Sequence, residues 1–284
     1  MIKKYSNLVM FSHTIFAMPF ALMGFTYAIT STDASFDWLL LLKVVICMIT
    51  ARNTAMAFNR WADRDIDAKN ERTANRDIPA KRISPRQAIT FVVLNAVLFV
   101  LTAALINPLT AILSPVALFV VMFYSYCKRF TAAAHLVLGL GLSIAPVGAY
   151  IAVTGEFALA PCILAIVVLT WCSGFDIIYA LQDAEFDRQE GLHSIPSKFS
   201  AKGALIISAL LHICSAISLI YFTYLLPSSI WITIGVALFI AILTAEHFLV
   251  TPSRQRNIGI AFGTLNGLAS LTLALLTIIG MITQ

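Results

Sequence analysis

The chain has 284 residues, of which 60% are hydrophobic and 12% are charged. A soluble globular domain carries about 25% charged residues, so this composition excludes one and predicts a polytopic membrane protein. The net charge of +5 comes from basic residues between the apolar stretches. It therefore does not indicate binding to nucleic acid. We expect the lipid bilayer as the partner instead.

Nine apolar stretches are long enough to cross a bilayer, since a spanning helix needs about 20 mostly apolar residues. In chain order they cover residues 11–30, 38–61, 87–106, 108–125, 132–153, 159–181, 203–224, 229–249 and 258–282. The third and fourth meet at a tight Asn107-Pro108 junction. We therefore predict an all-α protein with nine transmembrane helices, forming one membrane domain over residues 1–284.

Charge alternates between the loops. The loops after the first, third, fifth and seventh stretches lie on one side of the membrane. Of the 19 Lys and Arg residues, only Lys43 falls near that side, and the other 18 lie on the opposite side. Cytoplasmic loops carry the Lys/Arg excess in membrane proteins. We therefore expect a multi-pass protein of the cell inner membrane, with its N-terminus and charged loops in the cytoplasm and its C-terminus outside.

The first polar loop continues the second stretch with Asn59, Asp63 and Asp67 at i, i+4 and i+8 spacing. On a helix these three side chains share one face. An amide followed by two carboxylates is a set of hard oxygen donors, which suits Mg²⁺. A plain solvated loop would explain the basic residues nearby, but it would not explain this spacing.

A second acidic pair, Asp183 and Asp187, follows the sixth stretch, and each member lies 120 residues after its counterpart in the first pair. Asp176 lies inside the sixth stretch beside Tyr179. An ionisable residue there costs about 2.5–3.5 kcal/mol on insertion, which marks a functional site unless the residue caps or pairs locally. Because Mg²⁺ binds one or two carboxylates and fills its shell with water and substrate phosphates, two such pairs on one membrane face predict cations held for a lipid diphosphate.

A third polar group ends the fourth stretch on the same membrane side, where Tyr124 is followed by Lys128 and Arg129. These residues are either ordinary interface anchors or cations that neutralise a leaving diphosphate together with a divalent metal. His13, at the start of the first stretch, is either structural or a substrate-binding residue.

Together these residues resemble the UbiA superfamily of intramembrane aromatic prenyltransferases. The resemblance covers nearly the whole chain and rests on Asn59-x-x-x-Asp63-x-x-x-Asp67, Arg72-Thr73-Ala74-Asn75-Arg76, Tyr124-x-x-x-Lys128-Arg129-Phe130-Thr131 and Tyr179-Ala180-x-x-Asp183-x-x-x-Asp187. Two segments, His13-Thr14-Ile15-Phe16-Ala17-Met18-Pro19 and Ala145-Pro146-Val147-Gly148-Ala149, resemble the 4-hydroxybenzoate polyprenyltransferase-like branch, including its relatives in the futalosine route to menaquinone. That branch often has a basic residue shortly before the histidine, where this chain has Met10, Phe11 and Ser12.

The resemblance implies a helix bundle around a central cavity that cytoplasmic loops cap. It implies transfer of a polyprenyl chain from polyprenyl diphosphate to a 4-hydroxybenzoate-like aromatic acid, in ubiquinone or menaquinone biosynthesis. Mg²⁺ would be held by Asn59, Asp63, Asp67, Asp183 and Asp187, and the diphosphate by Arg72, Arg76 and Lys128. Arg129 would lie near the acceptor or the phosphates, and the remaining candidates for substrate contact are Tyr124, Asp176, Tyr179 and His13.

Other acceptors and another class of protein stay open. A naphthoate, haem or chlorophyll acceptor would use the same diphosphate chemistry. A transporter would also place charges in its spans, with inverted repeats and broken helices at the midplane, whereas the polar residues here cluster on one membrane face. The apolar spans exclude a soluble terpene synthase.

Overall fold

The regular structure of the described residues is entirely helical. The computed structural model describes residues 5, 8–9, 16–252 and 257–283. Within these ranges, eight helices are long and apolar enough to cross a bilayer. The prediction of an all-α, multi-pass membrane protein is therefore confirmed.

The spanning helices are joined by short polar segments that contain helices of a single turn or two. The order is α1 (Met18–Ser31), α2 (Trp38–Ala62), α3 (Arg64–Lys69), α4 (Pro85–Ala104), α5 (Pro108–Cys127), α6 (Ala134–Thr154), α7 (Leu159–Ala180), α8 (Ala184–Gln189), α9 (Ile195–Lys198), α10 (Ala201–Tyr224), α11 (Ile230–Leu249) and α12 (Asn266–Ile282). A π-helical segment, Ile260–Leu265, leads directly into α12. The described part of α1 has 14 residues, so the count of nine spans stays a prediction.

Polar caps set the beginnings of two spanning helices, α4 and α5. Ser84 and Gln87 form a capping box at the start of α4, and Asn107 and Thr110 form another at the start of α5. Such caps satisfy amide groups that the first helical turn leaves without partners. Asn107 also donates to the carbonyl oxygen of Ile151 at 2.8 Å, so the predicted tight junction is present and is tied to α6.

The core is concentrated on one side of the bundle. α7 lies at its centre, and its Leu164, Trp171 and Ile178 are fully buried. Helices α4 and α5 instead expose large apolar side chains such as Leu94 and Ile112. A bilayer is the solvent that suits such a surface, because its acyl chains are as apolar as leucine.

Two glycines allow α6 to approach its neighbours closely. A Cβ atom at Gly24 of α1 would lie 2.2 Å from the carbonyl oxygen of Pro146, and one at Gly139 would lie 2.4 Å from that of Leu169 in α7. Small residues at helix interfaces permit such contacts in membrane proteins. α6 is thereby held against both α1 and α7, which fixes one wall of the central cavity.

Candidate active site

The bundle encloses a cavity of about 670 Å³ between α2, α5, α6 and α7. Most of its lining is apolar, and it includes Met48, Leu113, Leu138 and Ala149. Its polar end is formed where the helices meet the charged loops. The residues there are Asn59, Asp63, Asp67, Arg72, Arg76, Lys128, Asp183 and Asp187. The sequence motifs predicted to act together are therefore brought together at one end of one cavity.

The first acidic motif lies where α2 ends. Asp63 caps the helix with φ −95° and ψ 2°, so the helix breaks there and α3 follows. The Asp67 amide still donates to the Asp63 carbonyl oxygen at 2.7 Å, which keeps both carboxylates along the same side. The Asn59 side chain donates to Asp63 Oδ2 at 3.0 Å. All three predicted oxygen donors thus line the cavity, although they do not share one continuous helix.

Asp63 is buried between two cations from the end of α5. Lys128 Nζ lies 2.6 Å from its Oδ2, and Arg129 Nη2 lies 3.0 Å from its Oδ1. Arg129 also donates to the carbonyl oxygens of Ser125 and Ala62, at 2.7 and 2.8 Å. Among the described residues, Lys128 lines the cavity and Arg129 does not. Arg129 therefore fastens α5 to the end of α2, and direct substrate contact by this residue remains only a prediction.

The second acidic motif is held by the first polar loop. Arg72 Nε donates to Asp183 Oδ1 at 2.9 Å, and its Nη2 also contacts this carboxylate. Asn70 donates to the same oxygen at 2.8 Å, and Arg72 Nη1 donates to the Tyr179 hydroxyl at 3.0 Å. Burial lowers the pKa of Arg72, but its bonds with Asp183 and Tyr179 outweigh this, and the pKa lies above its ordinary value.

The two remaining carboxylates are paired locally. Arg76 Nη1 donates to Asp67 Oδ1 at 2.7 Å, and the Ser194 hydroxyl donates to Asp187 Oδ2 at 2.7 Å. A further ion pair joins the loops outside the cavity lining, because Lys69 Nζ donates to Glu190 Oε2 at 2.5 Å. Every carboxylate of the two motifs therefore has a polar partner: basic residues pair with Asp63, Asp67 and Asp183, and Asp187 accepts from Ser194.

The donor chemistry of this mouth fits a hard divalent cation. Asp67 Oδ2 is buried and accepts no hydrogen bond, and neither does Asp63 Oδ1 despite the nearby Arg129. The described residues contain no cluster of three or more His, Cys, Asp or Glu side chains that would hold a metal by itself. Mg²⁺ needs no such cluster, since it is bound through one or two carboxylates plus substrate phosphates and water.

Comparison with known proteins identifies the family of this chain. Residues 17–280 match the UbiA prenyltransferase family. The chain belongs to that family. Among curated relatives, the 4-hydroxybenzoate octaprenyltransferase of Aliivibrio fischeri strain MJ11 is 30% identical over 180 residues, which are 63% of each chain. The chain thus spans just under two thirds of that relative's length. The enzyme of the same name from Idiomarina loihiensis is 30% identical over 78% of each chain.

Solved structures agree with the fold. A UbiA homolog from Aeropyrum pernix K1, in its apo form, superposes with a TM-score of 0.79 at 29% identity, over 95% of this chain and 97% of that one. A UbiA homolog from Archaeoglobus fulgidus bound to GPP and Mg²⁺ gives a TM-score of 0.71 at 22% identity, over 94% of this chain and 99% of that one. At that identity the second likeness shows the fold alone.

Within this UbiA-family chain, Asp176 is paired across two helices. His135 Nδ1 of α6 lies 2.7 Å from Asp176 Oδ2 of α7, and the Ile195 amide donates to His135 Nε2 at 3.3 Å. Both side chains line the cavity. Asp176 is therefore paired with a residue of another helix, which is neither a helix cap nor a local pair, and His135 joins the candidate site. A substrate-binding role for Asp176 stays a prediction.

Two arginines of α2 line the cavity of this UbiA-family protein without having been predicted. Arg52 lies well inside the span and donates to the Val9 carbonyl oxygen at 2.9 Å, and Arg60 is 8% exposed. The signal was present in the sequence, because a cation inside an apolar stretch marks a function by default. Tyr124 and Tyr179 line the cavity, and substrate binding by them stays a prediction, whereas His13 lies outside the described residues.

Proposed function

We propose that this chain transfers a polyprenyl group from a polyprenyl diphosphate to an aromatic carboxylate acceptor such as 4-hydroxybenzoate, with Mg²⁺. One observation carries this proposal: carboxylates and bases converge at the mouth of a cavity whose deeper walls are apolar. The mouth suits a diphosphate and the walls suit an isoprenoid tail. The relatives named 4-hydroxybenzoate octaprenyltransferase support the same chemistry.

The metal would be held by Asn59, Asp63, Asp67, Asp183 and Asp187. When bound, Mg²⁺ supplies charge neutralisation to the leaving diphosphate. In this structure Lys128 Nζ lies 2.6 Å from Asp63, and Arg72 and Arg76 pair with Asp183 and Asp67. The same three side chains are the donors that would bind phosphate oxygens, since Arg and Lys favour phosphate through charge-assisted hydrogen bonds.

The proposed reaction breaks the allylic C–O bond, and its electron pair leaves with the diphosphate. A ring carbon of the acceptor forms the new C–C bond, and the ring then loses one proton. The cations at the mouth stabilise the charge that develops on the leaving group. The apolar walls exclude water that would otherwise trap the allylic cation.

Arg52 supports an acceptor that carries a carboxylate. It lies seven residues before Asn59 on α2, about 10 Å deeper at a rise of 1.5 Å per residue. It also lines the cavity, where a planar guanidinium can hold a carboxylate through paired hydrogen bonds. This requirement is met by 4-hydroxybenzoate and equally by a naphthoate, so the naphthoate of a menaquinone route remains the alternative acceptor.

We further propose one membrane domain over residues 1–284, in the cell inner membrane, with the acidic motifs on the cytoplasmic side. This orientation is supported by the loops that carry Arg72, Arg76, Arg82 and Lys128, which all lie at the same end of the helices as the cavity mouth. Basic loops stay in the cytoplasm during insertion.

The acceptor is tested by incubating the purified protein with Mg²⁺, a polyprenyl diphosphate and a panel of aromatic acids, followed by mass spectrometry. We expect a product whose mass equals the acid plus the prenyl group minus one hydrogen. Products only from compounds without a carboxylate would contradict the role proposed for Arg52.

A further inference from the structure

A second pocket lies beside the substrate cavity, among the residues of the first polar loop. Its volume is about 480 Å³. Its lining is unusually rich in guanidinium groups: Leu8, Arg60, Arg72, Asn75, Arg76, Asp77, Arg82 and Tyr179. With arginine at half of these positions and a single acidic residue, the pocket carries a net positive charge. We call it the arginine pocket.

The arginine pocket and the substrate cavity share a wall. Arg60, Arg72, Arg76 and Tyr179 line both spaces, so the wall consists of three guanidinium groups and one phenol. On the cavity side, Arg72 is held by Asp183 and Arg76 is held by Asp67. A group that binds those carboxylates would therefore also release the arginines that close the wall.

The outer end of the arginine pocket is built from residues that do not line the cavity. Arg82 Nε donates to Asp77 Oδ1 at 2.7 Å, and Arg82 Nη2 contacts the carbonyl oxygen of Asn75. The Arg82 side chain is 53% exposed, whereas that of Asp77 is 12% exposed. Arg82 thus stands where the pocket meets solvent, and it does not line the cavity.

We propose that the arginine pocket binds the inorganic diphosphate released by the reaction, on its way from the cavity to the cytoplasmic solution. This inference rests on the proposed function. A diphosphate is a polyanion that cannot leave along the apolar walls, so its path must run through polar groups. Guanidinium groups are suited to it because their planar forks bind phosphate oxygens in pairs.

The test is equilibrium binding of inorganic diphosphate to the purified full-length protein by calorimetry, in a detergent with an uncharged headgroup. With EDTA present, binding that depends on Mg²⁺ is abolished, and we expect one equivalent of diphosphate to remain bound in the arginine pocket. Asp63→Asn should leave this EDTA-resistant binding intact and reduce the additional binding that Mg²⁺ brings.

Variants of one ion pair separate anion binding from a structural role. Arg82→Gln should weaken EDTA-resistant binding by about tenfold or more, the loss expected for a charge-assisted contact. Asp77→Asn should strengthen it, because it removes the negative charge from the pocket. A structural role would move both variants in the same direction, since both break the same pair. Arg86→Gln, at an exposed arginine outside the pocket, is the matched control and should not change the affinity.

Three results would overturn the proposal: no EDTA-resistant binding, a shift of Arg82→Gln and Asp77→Asn in the same direction, or tighter binding of phosphatidylglycerol from mixed micelles than of diphosphate. The last result would assign the pocket to a lipid headgroup. Each of these is compatible with Mg²⁺-dependent turnover, whereas failure of the proposed function would show as absence of that turnover.

Discussion

Replacing Arg52 with glutamine should change which acceptors the protein uses far more than it changes the use of prenyl diphosphate. Arg52 lines the cavity and lies seven residues before Asn59 on α2, so the proposed function assigns it to the acceptor and not to the leaving group. A hydrogen bond to a charged group contributes about 1.5–3 kcal/mol. We therefore expect kcat/KM for 4-hydroxybenzoate to fall by about 10- to 150-fold, since about 1.4 kcal/mol is a factor of ten.

The assay should compare 4-hydroxybenzoate with 4-hydroxybenzamide, which has the same ring and shape but no charge. The ratio of their kcat/KM values in one preparation cancels any loss of folded protein, which matters because Arg52 also holds the Val9 carbonyl oxygen. Lys43→Gln is the matched control. Lys43 is on the same helix, but its Nζ donates to the Leu105 carbonyl oxygen at 2.9 Å and it does not line the cavity.

In the wild-type protein the acid should be preferred, and Arg52→Gln should reduce that preference while the KM for polyprenyl diphosphate stays within about threefold. An unchanged ratio in Arg52→Gln would refute the assignment of this residue to the acceptor carboxylate. An equal fall in Lys43→Gln would show that the effect is not specific to the cavity.

Further predictions concern the metal site, its support and the topology. Asp63→Asn should lower turnover by at least about tenfold, whereas Asp65→Asn, at an exposed position nearby, should change it little. Similar turnover in the two variants would argue against a metal ligand at the buried position. Arg129→Ala should lower turnover because it frees the end of α5 from α2. Arg129→Lys should restore only part of the turnover, since lysine lacks the planar guanidinium group. Full activity of the alanine variant would remove this residue from the site. In a background without the five native cysteines, single cysteines at positions 75 and 156 should react with an impermeant thiol reagent from opposite membrane sides, and labelling from one side would contradict the topology.

The positions of the spanning helices were predictable because hydrophobicity and length decide them. The predicted stretch 108–125 corresponds to α5 (Pro108–Cys127), and 159–181 corresponds to α7 (Leu159–Ala180). Asn107 and Pro108 are strong helix starts by themselves, so the tight junction needed no tertiary information. The stretch 11–30 is only partly tested, because the described helix begins at Met18.

The residues that form the site were predictable from the sequence, but the hydrogen bonds and ion pairs that join them were not. The spacing of Asp63, Asp67, Asp183 and Asp187 identified the carboxylates, since i, i+4 periodicity is a local property. The bond from Arg72 to Asp183 joins residues 111 positions apart, and the bond from His135 to Asp176 joins two helices. Such pairs depend on how helices pack, which no local pattern specifies.

The most direct test of the proposed reaction is the release of inorganic diphosphate by the purified protein, measured with and without an aromatic acid in Mg²⁺ or in EDTA. We predict release only when Mg²⁺, polyprenyl diphosphate and the acid are all present, with one diphosphate for each prenylated acid. Asp183→Asn should abolish most of this release. Release that needs no acid, or no release from a protein that instead moves a solute across liposomes, would contradict prenyl transfer as the function of this chain.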